Sequence, residues 1–508
     1  MLARTGSIAL IGVDAHLVDV EVDVNVGVPK FTIVGLPAKS VREAEQRTRS
    51  ALLASAERWP PARIVAKLAP ASLRKDGTHF DLPIALGLIA GDGRLAPECL
   101  ADWAAMGELG LDGQVRRVRG VLSAALACRD AGVKGLICPV ANYAEARVVE
   151  GIEVIPVRSL KECVDFLKGK AIPEPPPIVE QQMHQQLEDL SEVRGQDDAK
   201  RALEVAAAGG HNLLLKGAPG SGKTMLARRM PGILPGMSLH ESLEVTRVHS
   251  VAGLLPEGIS LVAARPFRCP HHGVSMSGLV GGGSGMLSPG EASLAHRGVL
   301  FLDELPLYRR DVLESLRGPI EDGAVRIART TGTVSYPCRF SLVAAMNPCP
   351  CGFATDDRKS CRCTEAQKER YLSRLSGPLL DRFDMQVETS RLTKKQLLGA
   401  PDGDRSEQVQ ARVEAARSVQ ARRYGDSTST NATVNRAVLD RTLMITDEAW
   451  AEFNSLVDGI SLTGRAITRV LRVSRTVADL AGSEEICPQH VGEAVLLRLL
   501  DEDMEVAA

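Results

Sequence analysis

The sequence predicts a multidomain α/β protein: an N-terminal α+β domain, a central α/β domain on a parallel sheet, and a helical C-terminal domain. Three observations carry this. Val18, Val20, Val22, Val24 and Val26 alternate with Asp19, Glu21, Asp23 and Asn25, the period-two pattern of a half-buried strand. Beyond a proline-rich break, apolar strand-like runs alternate with helical patterns to about residue 387, as a parallel sheet with crossover helices requires. From about 406 to 500 the pattern is helical, broken by polar or glycine segments near 425–431 and 458–464.

In chain order, a turn at Gly27 to Pro29 follows the valine strand and leads to a strand at 31–34, a helix at 40–56, a strand at 64–68 and a helix at 82–90. These form a domain over 1–170. The linker, 171–189, contains Pro173, Pro175, Pro176 and Pro177, which fix φ and remove donors, so the run 173–177 is stiff and extended. The central domain spans 190–390 and the helical domain 391–508.

The 508 residues give room for about three domains. With 61 basic and 63 acidic residues, any nucleic-acid binding has to come from local patches. No apolar run approaches the ~18 residues of a membrane span, and the N-terminal apolar stretch 8–13 stops at Asp14, too short for a secretory signal. The expectation is a soluble, cytoplasmic protein whose eleven cysteines are mostly reduced thiols.

The chemistry concentrates in the central domain. Gly217, Ala218, Pro219, Gly220, Ser221, Gly222, Lys223 and Thr224 fill the pattern G-x-x-x-x-G-K-[ST], preceded by the apolar run Leu213-Leu214-Leu215. Glycines let successive N–H groups turn toward phosphate oxygens, Lys223 neutralises the β/γ-phosphates, and Thr224 ligates Mg2+ at a helix N-terminus whose dipole favours anions. The predicted helix runs over 223–229. A second apolar run, Val299-Leu300-Phe301-Leu302, ends in Asp303 and Glu304. Here Asp303 holds Mg2+ and Glu304 activates the attacking water, so a nucleoside triphosphate is the expected substrate.

Cys349-x-Cys351 and Cys361-x-Cys363 are the only cysteines with metal-ligand spacing. Four thiolates suffice for one tetrahedral structural Zn2+; free thiols are the alternative. His271 and His272 read as loop residues that pack or line a substrate channel. Arg465, Arg469 and Arg472, with Arg475 at the edge, share a helical face, and Arg412, Arg417, Arg422 and Arg423 form a second basic segment with few aromatics to stack bases.

The order of motifs resembles a known group. After the Asp-Glu strand come S-L-V-A-A-M-N ending at Asn347 and G-P-L-L-D-R-F-D at 377–384. This order is similar to the AAA+ ATPases of the helix-two-insert group that includes magnesium-chelatase subunits, which implies ATP with Mg2+ as the nucleotide. R-P-F-R-C-P-H-H at 265–272, P-G-E-A-S-L-A-H at 289–296 and N-P-C-P-C-G at 347–352 narrow the resemblance to the YifB/ComM family of magnesium-chelatase-like ATPases, over essentially the whole chain. Cys269 stands where that family is expected to have alanine, and it is not assigned as a ligand. The resemblance makes Asn347 the sensor that polarises the attacking water, Arg382 an arginine finger for a neighbouring subunit's ATP, and Arg465 the second sensor of a helical lid, with Arg469 as the alternative. It implies a ring, expected to be hexameric, and a loop over 280–285 directed toward the ring's pore.

The N-terminal domain resembles the proteolytic domain of Lon proteases, of ribosomal-protein-S5-like fold, through R-K-D-G-T-H at 74–79 and G-E-L-G-L-D-G at 107–113. His79 stands at the serine position and Leu122 at the lysine position, so the catalytic dyad is expected to be absent and the domain structural or DNA-facing. Ser72, Ser123 and Lys75 are the residues from which a dyad would otherwise be assembled. ComM-type relatives imply a DNA helicase promoting branch migration in recombination during natural transformation. The rival is a magnesium-chelatase-type ATPase that remodels a protein partner, against which the Lon-like domain argues.

Overall fold

The computed structural model describes residues 1–177, 187–283, 287–329, 332–355, 359–393, 396, 403–459 and 464–498. The first sheet has seven strands in the order Lys30–Val34, Arg63–Ala69, Asp14–Asn25, Leu2–Ile11, Trp103–Ala105, Gly135–Pro139, Glu153–Val157. Leu2–Ile11 and Asp14–Asn25 form a long antiparallel hairpin, paired from Leu2 with Asp23 to Ile11 with Asp14. The predicted alternation holds where the hairpin meets the core: Val18, Val20 and Val22 are buried, whereas Val26 lies beyond the strand and is exposed. Against them lies the wholly buried helix Asp81–Gly91. Gly87 permits that approach, because a Cβ there would come within 2.7 Å of Val22 Cγ2. The helix expected over 40–56 is divided into Lys39–Arg42 and Ala44–Ala54.

The second sheet is wholly parallel, in the order Phe267–Arg268, Val299–Leu302, Ser341–Met346, Leu213–Gly217, Met385–Thr389. Its strands read as continuous apolar runs because both faces are covered. Leu213, Leu215, Phe301 and Val343 pack on one side, while Leu214, Leu300, Leu302 and Leu342 join a separate core on the other. Each such side chain contributes roughly 1.5–3 kcal/mol of burial, which fixes the strand ends that carry the site. Helices Ser406–Tyr424 and Gly464–Leu480 of the C-terminal region add Val409, Val413, Val470 and Val477 to the first of these cores.

The two sheets are bridged by the helix Leu239–Ala252. Arg247 donates to Val13 O and Asp14 Oδ1, each at 3.0 Å, and Ser250 Oγ accepts from Gly120 N at 3.1 Å while donating to the buried Glu145. Among the described residues, no helix is long and apolar enough to cross a membrane.

Candidate functional site

The glycine-rich loop joins the strand Leu213–Gly217 to the helix Lys223–Ile233, four residues longer than predicted. Gly220 and Gly222 adopt left-handed backbone, φ +78° and +95°, conformations that only glycine takes at low cost. Lys223 Nζ folds back over the loop, donating to Gly217 O at 2.7 Å, Ala218 O at 3.0 Å and Asn347 Oδ1 at 3.2 Å. Burial pulls the Lys223 pKa below its ordinary value, with Asp303 and Glu304 opposing the fall.

The loop is braced from behind. Ser221 Oγ lies 2.7 Å from Thr389 Oγ1, and Gln196 Nε2 donates to Ser221 O at 3.0 Å and Ser390 O at 2.5 Å. Sequence reasoning missed Gln196. Its signal is slight: a polar residue after Gly195 at the start of the helix Asp197–Gly209.

Thr224 Oγ1 donates to Asp303 Oδ2 at 2.7 Å, so two hard oxygen donors meet beside the buried ammonium, as Mg2+ binding next to a phosphate requires. Glu304 follows with φ +52°, a backbone region that costs a non-glycine residue energy and recurs at functional positions. Its carboxylate is 53% exposed and faces His272 Nδ1 at 3.7 Å. The loop bearing His272 is held by Tyr308, whose hydroxyl donates to Pro270 O at 2.6 Å. His272 therefore stands beside the candidate base, a more specific position than the packing or channel role read from the sequence.

The predicted arginines gather elsewhere. Asn212 Nδ2 donates to Arg382 O at 2.9 Å, which places Arg382 at the start of the strand whose far end carries the phosphate loop. Five residues at about 3.3 Å each put those ends about 16 Å apart. Arg382 Nη1 donates to Pro378 O at 2.5 Å, and Nη2 pairs with Glu321. Arg469 lies 3.5 Å from Asp384 Oδ1 and 3.9 Å from Asp381 Oδ1, while the more exposed Arg465 lies 3.6 Å from Asp381 Oδ2. Burial lowers the Arg469 pKa, and Asp384 opposes this. Lys223, Thr224, Asp303, Glu304 and Asn347 thus form one group, and Arg382, Arg465 and Arg469 another. Leu462 and Thr463, quoted beside Arg465, and Ser284 and Gly285 of the glycine run lie outside the described residues.

Cys349, Cys351, Cys361 and Cys363 converge, their sulfurs all within 4.8 Å of one another. Three of the Sγ separations are 3.3, 3.7 and 3.6 Å. Four thiolates about 2.3 Å from a tetrahedral zinc would stand about 3.8 Å apart, so the donor set fits the metal.

In the first domain, His79 is buried with Nε2 2.7 Å from Ile8 O, and burial drops its pKa to about 4. Lys75 Nζ donates to Pro70 O, and Ser123 Oγ donates to Val13 O at 2.7 Å. Neither of these contacts joins a serine to a lysine.

The arginines of the two basic segments are largely engaged within the fold. Arg412 binds Glu204 and Asp404, Arg417 donates to Ala207 O, and Arg423 and the buried Arg475 both engage Asp479. Carboxylates and carbonyls within the fold take up these four guanidinium groups.

A glycine-rich phosphate loop, an Asp-Glu strand and a strand-terminal asparagine on this parallel sheet define an AAA+ ATPase. Residues 189–397 match the family described as magnesium chelatase, subunit ChlI; residues 20–142 match subunit ChlI of Mg-chelatase; and residues 403–498 match the ChlI C-terminal family. The chain belongs to the YifB/ComM family of magnesium-chelatase-like proteins. It is 42% identical to competence protein ComM of Haemophilus influenzae over 98% of both chains, and 42% identical to YifB of Escherichia coli over 97% of this chain and 96% of that one. An uncharacterized protein of Mycobacterium tuberculosis is 44% identical over 98% of both.

Proposed function

We propose that this chain is the subunit of a cytoplasmic hexameric ring that hydrolyses ATP to move branched DNA, promoting branch migration in recombination during natural transformation. The observation that carries the ring is that Arg382 sits at the opposite end of the five-residue strand from its own phosphate loop, a backbone separation of about 16 Å at the usual strand rise, which favours its serving a neighbour's loop. Thr224 and Asp303 hold Mg2+, Lys223 neutralises the phosphates, and Asn347 orients the water from which Glu304 takes a proton. A neighbour's Arg382 supplies positive charge as the γ-phosphoryl group transfers, with Arg469 better placed than Arg465 to act beside it from a helical lid. The four cysteines hold one structural Zn2+. The first domain is a Lon-like fold without protease function, in keeping with the separate partners of Lys75, Ser123 and His79.

Full-length identity to a competence protein supports DNA as the substrate. A second reading, remodelling of a protein partner, is favoured by the chelatase description of all three matched segments. Because 20–142 also matches a chelatase family, the first domain does not separate the readings. ATP turnover measured with no DNA, single strands, duplex and a four-way junction does. The DNA reading expects stimulation, and separation of a labelled junction only with hydrolysable ATP, both weakening as salt rises. Equal turnover in all four conditions without separation would favour the protein partner.

A further inference from the structure

We propose that the four-cysteine knuckle is a metal-dependent brace on the phosphate loop, so that zinc occupancy sets nucleotide affinity; this rests on the zinc reading above. The knuckle and its flanking residue reach the nucleotide site by two direct contacts and one relayed contact. Asn347, two residues before Cys349, accepts from Lys223 Nζ at 3.2 Å. Gly352, inside the knuckle, lies against Pro219 of the loop so closely that a Cβ at 352 would stand 2.4 Å from Pro219 Cδ, and its φ of +81° is held by a turn in which Gly352 N donates to Cys349 O at 2.9 Å. Phe353 then places its ring 5.3 Å from Arg391 Cζ, two residues beyond Thr389, which meets Ser221 Oγ at 2.7 Å.

Among its described residues this short segment has one apolar ring and no helix or strand, so little of its own holds it in place. Closing Cys349 and Cys351 onto Cys361 and Cys363 through a metal removes that freedom, fixing Gly352 against Pro219 of the loop and Phe353 against Arg391, which follows the strand that braces Ser221. A loop already held in its phosphate-binding shape binds more tightly, because less ordering remains to be done on binding.

The test uses the full-length protein, its zinc content measured before and after stripping with a chelator under reducing conditions, and titration with a fluorescent ATP analogue plus Mg2+ at each stage. The expected result is about one zinc per chain, with affinity about tenfold weaker after stripping and restored by added Zn2+. Phe353→Ala, which leaves all four thiols, should keep the zinc and still bind nucleotide more weakly, so the proposal stays decidable even if stripped protein unfolds. Protein that neither carries nor takes up zinc defeats the zinc reading. Zinc that is present, but whose removal leaves affinity within about twofold with Phe353→Ala also unchanged, overturns the brace alone.

Discussion

Replacing Glu304 by Gln separates chemistry from binding, and the structure sets the size of both effects. The carboxylate is about half exposed and faces a histidine at 3.7 Å, so the amide should cost under about 1 kcal/mol of stability once solvent screening is counted. A chain of this size should then melt within about 2 °C of wild type. The neighbouring contacts stay in place: Thr224 still reaches Asp303, and Lys223 still reaches Asn347. ATP with Mg2+ should therefore bind at near wild-type affinity. Loss of a positioned general base removes roughly 10²–10⁴-fold of rate, about 3–5 kcal/mol of barrier. Single-turnover ATP hydrolysis, a nucleotide titration and a thermal melt on the same preparation read all three quantities. Turnover within a few-fold of wild type would refute Glu304 as the base, and a large fall in melting temperature would refute the argument from its exposure.

Lys223→Ala should fold but bind ATP at least about 100-fold more weakly, since charge-assisted contacts to two phosphates, each about 1.5–3 kcal/mol, are lost; a nucleotide titration checks this. Gln196→Ala should weaken nucleotide binding modestly while leaving turnover at saturating ATP nearly intact, because it removes two hydrogen bonds of about 1 kcal/mol each that shape the loop but touch no reacting atom; the comparison of KM with kcat decides it.

Much of this was legible in the sequence where local pattern and chemistry coincide. The phosphate loop and the Asp-Glu strand are contiguous motifs, and their spatial partnership follows from parallel strands with buried faces. The valine strand was legible too, but its partner Leu2–Ile11 was not, since that strand turns Thr5 and Ser7 into the core and so blurs the alternation. The partners of the arginine segments were not legible for a different reason. Periodicity shows that Arg412 is on a helix face, but not that Glu204, 208 positions earlier, will meet it at 2.5 Å. Gln196 was missed because it recognises backbone carbonyls, which leave no mark in the sequence.

The central claim is that each catalytic site is shared between subunits, and mixing two inactive variants tests it most directly. Arg382→Ala retains an intact phosphate loop, and Lys223→Ala retains an intact arginine. A subunit with Arg382→Ala beside one with Lys223→Ala should therefore rebuild a working site at one of their interfaces. Each variant alone should hydrolyse ATP poorly, Arg382→Ala should still bind ATP, and the mixture should recover part of wild-type turnover in a ratio-dependent way. A wild-type monomer with full activity, or an Arg382→Ala enzyme with normal turnover, would contradict it.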